Sequence, residues 1–224
     1  MKQNWTLILD FDSTVVRVES LDVLAEIALQ NHMSQSAITS RIKELTILGM
    51  EGEITFQQSL QKRLSLLEGN RSHVRQLSEK LVSTITPSFK KNSNWLERHA
   101  DKIFIFSGGF RETIFQVAES LGLHRDHVFA NDFIYSELGL IEGVYNSNPF
   151  SRSGGKLEKA KSMNFSGKVV MVGDGNTDAE LKELGNHVTF FAFTENVTRP
   201  TVVKKADHVI ESFDHVIRFL EELD

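Results

Sequence analysis

The sequence predicts an α/β fold: a doubly wound, mostly parallel sheet that carries an inserted helical cap and a small β-hairpin. Two observations predict the sheet. Four short runs, "WTLILDFD", "KIFIFSGG", "KVVMVGDG" and "HVTFFAF", are almost continuously apolar, as strands buried on both faces of a parallel sheet must be. Between them lie "FRETIFQVAESLGL", "GKLEKAKSM" and "TDAELKELG", whose apolar spacing is helical, and strand–helix alternation is the mark of parallel crossovers.

Taken in order, the first strand is followed by an unusually long helical stretch. "SLDVLAEIAL", "SQSAITSRIKELTILG", "TFQQSLQKRLSLL" and "SHVRQLSEKLVSTI" are four helical patterns with no strand among them. Residues 16–84 are therefore expected to form a helical cap, with 1–15 and 85–224 as the catalytic core. Pro87, in "TPSF", is expected to break the last cap helix and return the chain to the core. Further on, "NDFIYSELGLIEGVYNSN" is β-rich around a turn and reads as a hairpin.

Composition narrows the function. The 224 residues are 40% hydrophobic and 25% charged, as in an ordinary folded protein. A net charge of -5 disfavours a broad nucleic-acid footprint but not a small anionic substrate, because a pocket's local charge can oppose the net charge. There are no cysteines, which excludes disulfides, thiolate metal sites and cysteine nucleophiles. No apolar run reaches membrane-spanning length, and "MKQNWTLILD" lacks the apolar core of a leader, so no membrane partner is expected and a cytoplasmic protein is the default. The oligomeric state is not encoded legibly.

The chemistry gathers where the strands end, the edge at which open parallel sheets bind ligands. The first strand ends in Asp10 and Asp12, the second in Ser107, Gly108 and Gly109, the third in Asp174 with Asp178 close behind. Each group alone is ordinary turn or cap chemistry. On one edge of one sheet they make a site. Asp10, Asp12 and Asp174 would converge on a hard dication that relieves their repulsion, and all-oxygen ligation favours Mg2+. "SGGF" leading into a helix offers a hydroxyl and open backbone amides to an anion, and Lys156 adds a positive charge. Cation, anion cradle, lysine and spare carboxylates describe phosphoryl transfer.

These residues resemble the haloacid dehalogenase-type phosphotransferases. That family's DxDxT/S motif stands here as "DFDST", its strand-end Ser/Thr as Ser107, its lysine as Lys156, and its GDxxxD motif as "GDGNTD" at 173–178. The resemblance implies Asp10 as nucleophile and Asp12 as general acid and base, with Asp12 reaching the metal through its backbone carbonyl. It implies Asp174 as a metal ligand, Asp178 as its support or as a helix cap, and Ser107, Gly108 and Lys156 as phosphate-binding groups with Thr177 beside them.

Longer stretches, "DFDSTVVRVESLDVLAEIA", "ITFQQSLQKRLSLL", "FSGGFRETI", "VFAN" and "VGDGNTDAEL", resemble the family members that act on O-phosphoserine. By that resemblance Glu19 would hold the substrate ammonium, Arg63 its carboxylate, and Met50 and Phe56 would close over it. Read from the residues alone, Glu19 is a first-turn helix acid, Arg63 part of a solvated face, and Met50 and Phe56 cap core. Arg111 would face the site or form a surface ion pair, Arg17 has no clear role, and His124 and His127 are expected in solvent. Ser88 stands where the family commonly has glycine. The expected reaction is Mg2+-dependent hydrolysis of O-phospho-L-serine through an aspartyl-phosphate, in serine biosynthesis. The alternative is the same chemistry on another small phosphomonoester, or phosphoryl transfer to homoserine.

Overall fold

The computed structural model describes residues 4–223. Along the chain its strands are β1 (Trp5–Leu9), β2 (Ile103–Phe110), β3 (Val128–Asn131), β4 (Phe133–Tyr135), β5 (Ile141–Val144), β6 (Lys168–Gly173), β7 (Val188–Phe193) and β8 (His208–Ile210). The helices are α1 (Ser20–Ala28), α2 (Gln35–Glu51), α3 (Phe56–Leu66), α4 (Arg71–Val82), α5 (Pro87–Lys91), α6 (Ser93–Arg98), α7 (Arg111–Ser120), α8 (Gly155–Met163), α9 (Asn176–Ala179), α10 (Pro200–Val203) and α11 (Asp214–Glu221).

Six strands pair in parallel in the order β3-β2-β1-β6-β7-β8, while β4 and β5 form a separate antiparallel hairpin. The chain winds outward from β1 in one direction and then from β6 in the other, so the topological switch point lies between them. Register fixes what meets there. Leu9 lies opposite Val172, and the Asp10 amide donates to the Val172 carbonyl at 2.9 Å. Asp10 and Asp174 therefore leave adjacent strands at the same edge.

Alternation within these strands builds two cores, one on each face of the sheet. Leu7, Leu9, Val170, Val172, Phe191 and Phe193 pack on one side; Ile8, Val169, Met171, Phe190 and Ala192 pack on the other. That two-sided burial explains the uninterrupted apolar runs in the sequence. The edge strands β3 and β8 lacked that signal because each is short and β8 leaves His208 and Val209 exposed.

The helices α1 to α4 leave and re-enter the sheet through one narrow neck. Val16 bridges Ile85, the Arg17 amide donates to Thr84 and the Thr86 amide donates to Val15, each at 2.9 Å. On the far side, the amides of Arg71 and Ile141 donate to the carbonyls of Gly139 and Gly69, which ties the β4–β5 hairpin to the start of α4. Pro87 does not break a cap helix: α4 has already ended at Val82, and Pro87 opens α5 at its first position, where its missing N–H costs nothing. Ser88, next to it, is buried. Its hydroxyl donates to Glu195 and accepts from the Phe213 amide at 3.0 Å, which a glycine could not do. Among the described residues no helix is long and apolar enough to cross a membrane.

Candidate active site

β1 ends at Leu9, and the turn that follows places Ser13 in the left-handed region at φ 55°. The turn throws the first two carboxylates in different directions. Asp10 joins Asp174 and Asp178, with one carboxylate oxygen from each lying within 4.8 Å of the others. Asp12 points elsewhere: its Oδ1 accepts from both the hydroxyl and the amide of Ser20, at the first turn of α1. The acidic side-chain cluster thus holds Asp178 where the sequence suggested Asp12. The metal contact that the resemblance implies for Asp12 is made by its backbone carbonyl, not by this side chain.

Cations offset the cluster from two sides. Lys156 Nζ, buried at the start of α8, lies 2.5 Å from Asp10 Oδ1 and 2.6 Å from Asp178 Oδ1. Burial works against its charge, but Asp10 and Asp178 outweigh burial and raise its pKa. Opposite, Arg199 Nε donates to Asp174 Oδ2 at 2.8 Å, and Thr14 Oγ1 donates to Asp174 Oδ1 at 3.2 Å. Asp178 also accepts from the Gly175 amide at 2.9 Å, so it caps α9 as well as holding Lys156. Gly173 permits this, since a β-carbon there would lie 2.2 Å from Asp178 Oδ2. Burial first, then the Asp10 charge, push the carboxyl of Asp174 upward and that of Asp178 up to about 7.

These residues fit a hard dication. Asp10, Asp12, Glu19, Asp174 and Asp178 face Lys156, Arg63 and Arg199, a formal excess of two negative charges. The donors are all oxygen, without sulfur or imidazole.

Above the cluster opens a cavity of about 550 Å³. Every residue the sequence put forward for catalysis or substrate binding lines it, and Asp174 lies buried beneath. The Ser107 hydroxyl accepts from the Gly109 amide at 2.9 Å, which rigidifies the end of β2. The Phe56 ring lies directly over Gly108, where a β-carbon would come within 2.4 Å of Cζ. Asp12 Oδ2, the oxygen Ser20 leaves free, is 3.5 Å from where a β-carbon of Gly109 would be. Burial, then the charges of Glu19 and Asp10, hold the Asp12 carboxyl well above the usual carboxylate range.

In the wall of the cavity Arg63 is 6% exposed, so it is no part of a solvated face. Its guanidinium reaches Ser59 O and Thr46 Oγ1 at 3.4 and 3.3 Å, and no ion pair to it is found among the described residues. Burial lowers its pKa against the opposing charges of Glu19, Asp22 and Asp12, none of which it bonds directly. Glu19 accepts from Ser13 Oγ at 2.7 Å and from Arg199 at 3.4 Å, and burial raises its pKa. Thr177 and Met50 also line the cavity.

Other expectations fall away from the site. Arg111 forms a bidentate pair with Asp132, and Arg17 donates to Ser83 O in the neck at 3.3 Å. His124 pairs with Asp101 at 3.0 Å and is exposed as expected. His127 is half-buried rather than in solvent, with Nδ1 against the carbonyls of Ala100 and Ile103 and its ring stacked on Phe104. Sequence reasoning missed Arg199. Its only signal was a lone arginine in "ENVTRP", just past the fourth apolar run and hence at the same sheet edge.

The sequence matches the haloacid dehalogenase-like hydrolase family over residues 7–183. This chain belongs to that family and is an enzyme of it. Within the family its relatives are more specific. It is 31% identical to the phosphoserine phosphatase of Homo sapiens, over 95% of this chain and 92% of that one. It is equally 31% identical to the phosphoserine phosphatase of Methanocaldococcus jannaschii, over 95% of each. Among solved structures, a phosphoserine phosphohydrolase-like protein from Francisella tularensis superposes with a TM-score of 0.85 at 32% identity, covering 96% of this chain and 99% of that one. A phosphoserine phosphatase captured as an analogue of its phospho-aspartyl intermediate superposes at 0.75 with 27% identity, over 98% and 99% of the two chains.

Proposed function

We propose that this enzyme hydrolyses O-phospho-L-serine to L-serine and phosphate, with Mg2+ as cofactor and Asp10 as the covalent carrier of the phosphoryl group. The observation that carries the substrate is Arg63: a buried guanidinium in the cavity wall, near the charges of Glu19, Asp22 and Asp12 but hydrogen-bonded to no carboxylate, suits a substrate that brings one. Glu19, which also lines the cavity, would take the ammonium.

In the first half-reaction an Asp10 oxygen attacks phosphorus and the bond from phosphorus to the seryl oxygen breaks. Asp12 gives its proton to that leaving oxygen, and its raised pKa keeps the acid form available for this step. In the second half, the Asp12 carboxylate takes a proton from water, the water oxygen bonds phosphorus, and Asp10 is released. Ser107, the Gly108 amide and Lys156 hold the phosphoryl oxygens in line throughout. Mg2+, held by Asp10, Asp174 and the Asp12 carbonyl, would supply neutralising charge to those oxygens. Residues 16–84 act as a cap, with Met50 and Phe56 closing over the substrate to exclude bulk water.

Release of inorganic phosphate from O-phospho-L-serine, with and without Mg2+, by wild type and by Asp10→Asn tests the reading. Turnover that needs both Mg2+ and Asp10 is expected. Brisk hydrolysis of other phosphomonoesters beside an inert phosphoserine would reject the substrate.

A further inference from the structure

The start of α9, between Asp174 and Asp178, makes one contact that the chemistry above leaves unused. Asn176 donates through Nδ2 to the backbone carbonyl of Met50 at 3.1 Å, across 126 positions of sequence. Its Oδ1 accepts from Lys205 Nζ at 2.9 Å. The two partners fix the amide's orientation, because only its nitrogen can serve a carbonyl and only its oxygen can serve an ammonium.

Met50 lies in the last turn of α2, where carbonyls run out of intrahelical N–H partners. The neighbouring carbonyls are met locally: Gly49 by the Gly52 amide, and Leu48 by the amides of Glu53 and Ile54. The Met50 carbonyl is met from outside, by the core. Lys205 adds to the fit, since a cation beside the end of α2 complements its dipole. Asn176, Met50 and Lys205 all line the cavity.

We propose that Asn176 is a positioning residue, a strap that holds the C-terminal end of α2, and with it the Met50 side chain, down over bound substrate. This rests on the reading of residues 16–84 as a cap over a phosphoserine site. The strap springs from the first residue of α9, between Asp174 and Asp178, so cap closure and the placing of that helix start are one event. Loosening it lowers the fraction of enzyme in the closed, binding-competent form and raises apparent KM by the same factor, without touching the groups that move the phosphoryl.

The test joins steady-state kinetics on O-phospho-L-serine with hydrogen exchange of the free protein over residues 51–56. Losing one neutral hydrogen bond should raise KM in Asn176→Ala by about threefold to tenfold, with kcat held within about twofold. Asn176→Asp should behave alike, because a carboxylate keeps Lys205 but has no N–H for Met50. Amides 51–56 should exchange faster in both variants. Wild-type KM and exchange in Asn176→Asp would mean that the residue merely tethers Lys205, and would overturn the strap. So would a fall in kcat at constant KM, which would put the effect on the acidic loop. If wild type does not turn over phosphoserine, the substrate reading fails, yet exchange in the free protein still decides the strap. Should Asn176→Ala misfold, the near-isosteric Asn176→Asp carries the same expectations.

Discussion

Arg199 reaches Asp174 with its Nε 2.8 Å from Oδ2, beneath the cavity and beside the carboxylates of Asp10 and Asp178. The guanidinium therefore shields an acidic cluster that would otherwise repel itself in a poorly solvated place. Removing it should show first in stability. Arg199→Ala is expected to lose about 2 kcal/mol in Mg2+-free buffer, the scale of leaving a buried acceptor without its donor. Added Mg2+ should then raise the midpoint of urea unfolding more in the variant than in wild type. Equal gains in both would mean that the cation and Arg199 do not relieve the same repulsion.

In the proposed reaction Asp12 is an acid in one half and a base in the other, and the two duties separate experimentally. p-Nitrophenolate leaves without a proton, so Asp12→Asn should still form the aspartyl-phosphate from p-nitrophenyl phosphate. Stopped-flow traces should show a burst near one equivalent of nitrophenol and then near-arrest, the second half falling by about a hundredfold or more. Steady turnover without a burst would remove Asp12 from the water-activating role.

In the proposed reading Arg63 recognises the carboxylate of the substrate rather than its phosphate. Arg63→Ala should cut kcat/KM for phosphoserine by about a hundredfold, the scale of a charge-assisted bidentate contact. On p-nitrophenyl phosphate, which has no such carboxylate, the loss should stay within a few-fold. Parallel losses on both substrates would show Arg63 to be a structural support of the cap.

Far from the site, Asp214 opens α11 and accepts from Lys91 and Asn92 at 2.8 and 2.7 Å and from Ser212 at 3.1 Å. These contacts hold its carboxyl down at about 2. A carboxyl depressed on folding contributes stability above its unfolded pKa, near ~4, and loses it as pH falls through the folded value. Wild type should therefore lose stability relative to Asp214→Asn between about pH 4 and pH 2, and the two profiles should run parallel above pH 5. Acid unfolding followed by circular dichroism measures the difference.

What the sequence makes legible follows from where the physics is local. Strands buried on both faces cannot hide: β1, β2, β6 and β7 are continuous apolar runs, and their polar ends mark one sheet edge. That is why Asp10, Ser107 and Asp174 read as neighbours on one sheet edge from the sequence alone. Arg199 and Asn176 escape the same reasoning because their partners lie 25 and 126 positions away, and nothing in an isolated arginine or asparagine announces such a partner. The burial of Arg63 was hidden as well, since "QQSLQKR" is polar and only the packing of α3 beneath α2 takes it out of water. The split of Asp12 from the acidic cluster depends on the left-handed turn at Ser13, a dihedral detail that residue spacing does not carry.

The neck at Val16 and Ile85 has an evolutionary corollary. Because the helical excursion departs and returns through one paired crossing, its length adds only a slowly growing closure entropy to the sheet. Such a joint lets the excursion change in length while Asp10, Lys156 and Asp174 keep their register, and Arg63, Met50 and Phe56 all lie on the excursion. Inherited catalysis and selectable ligand preference can thus diversify on separate parts of one gene.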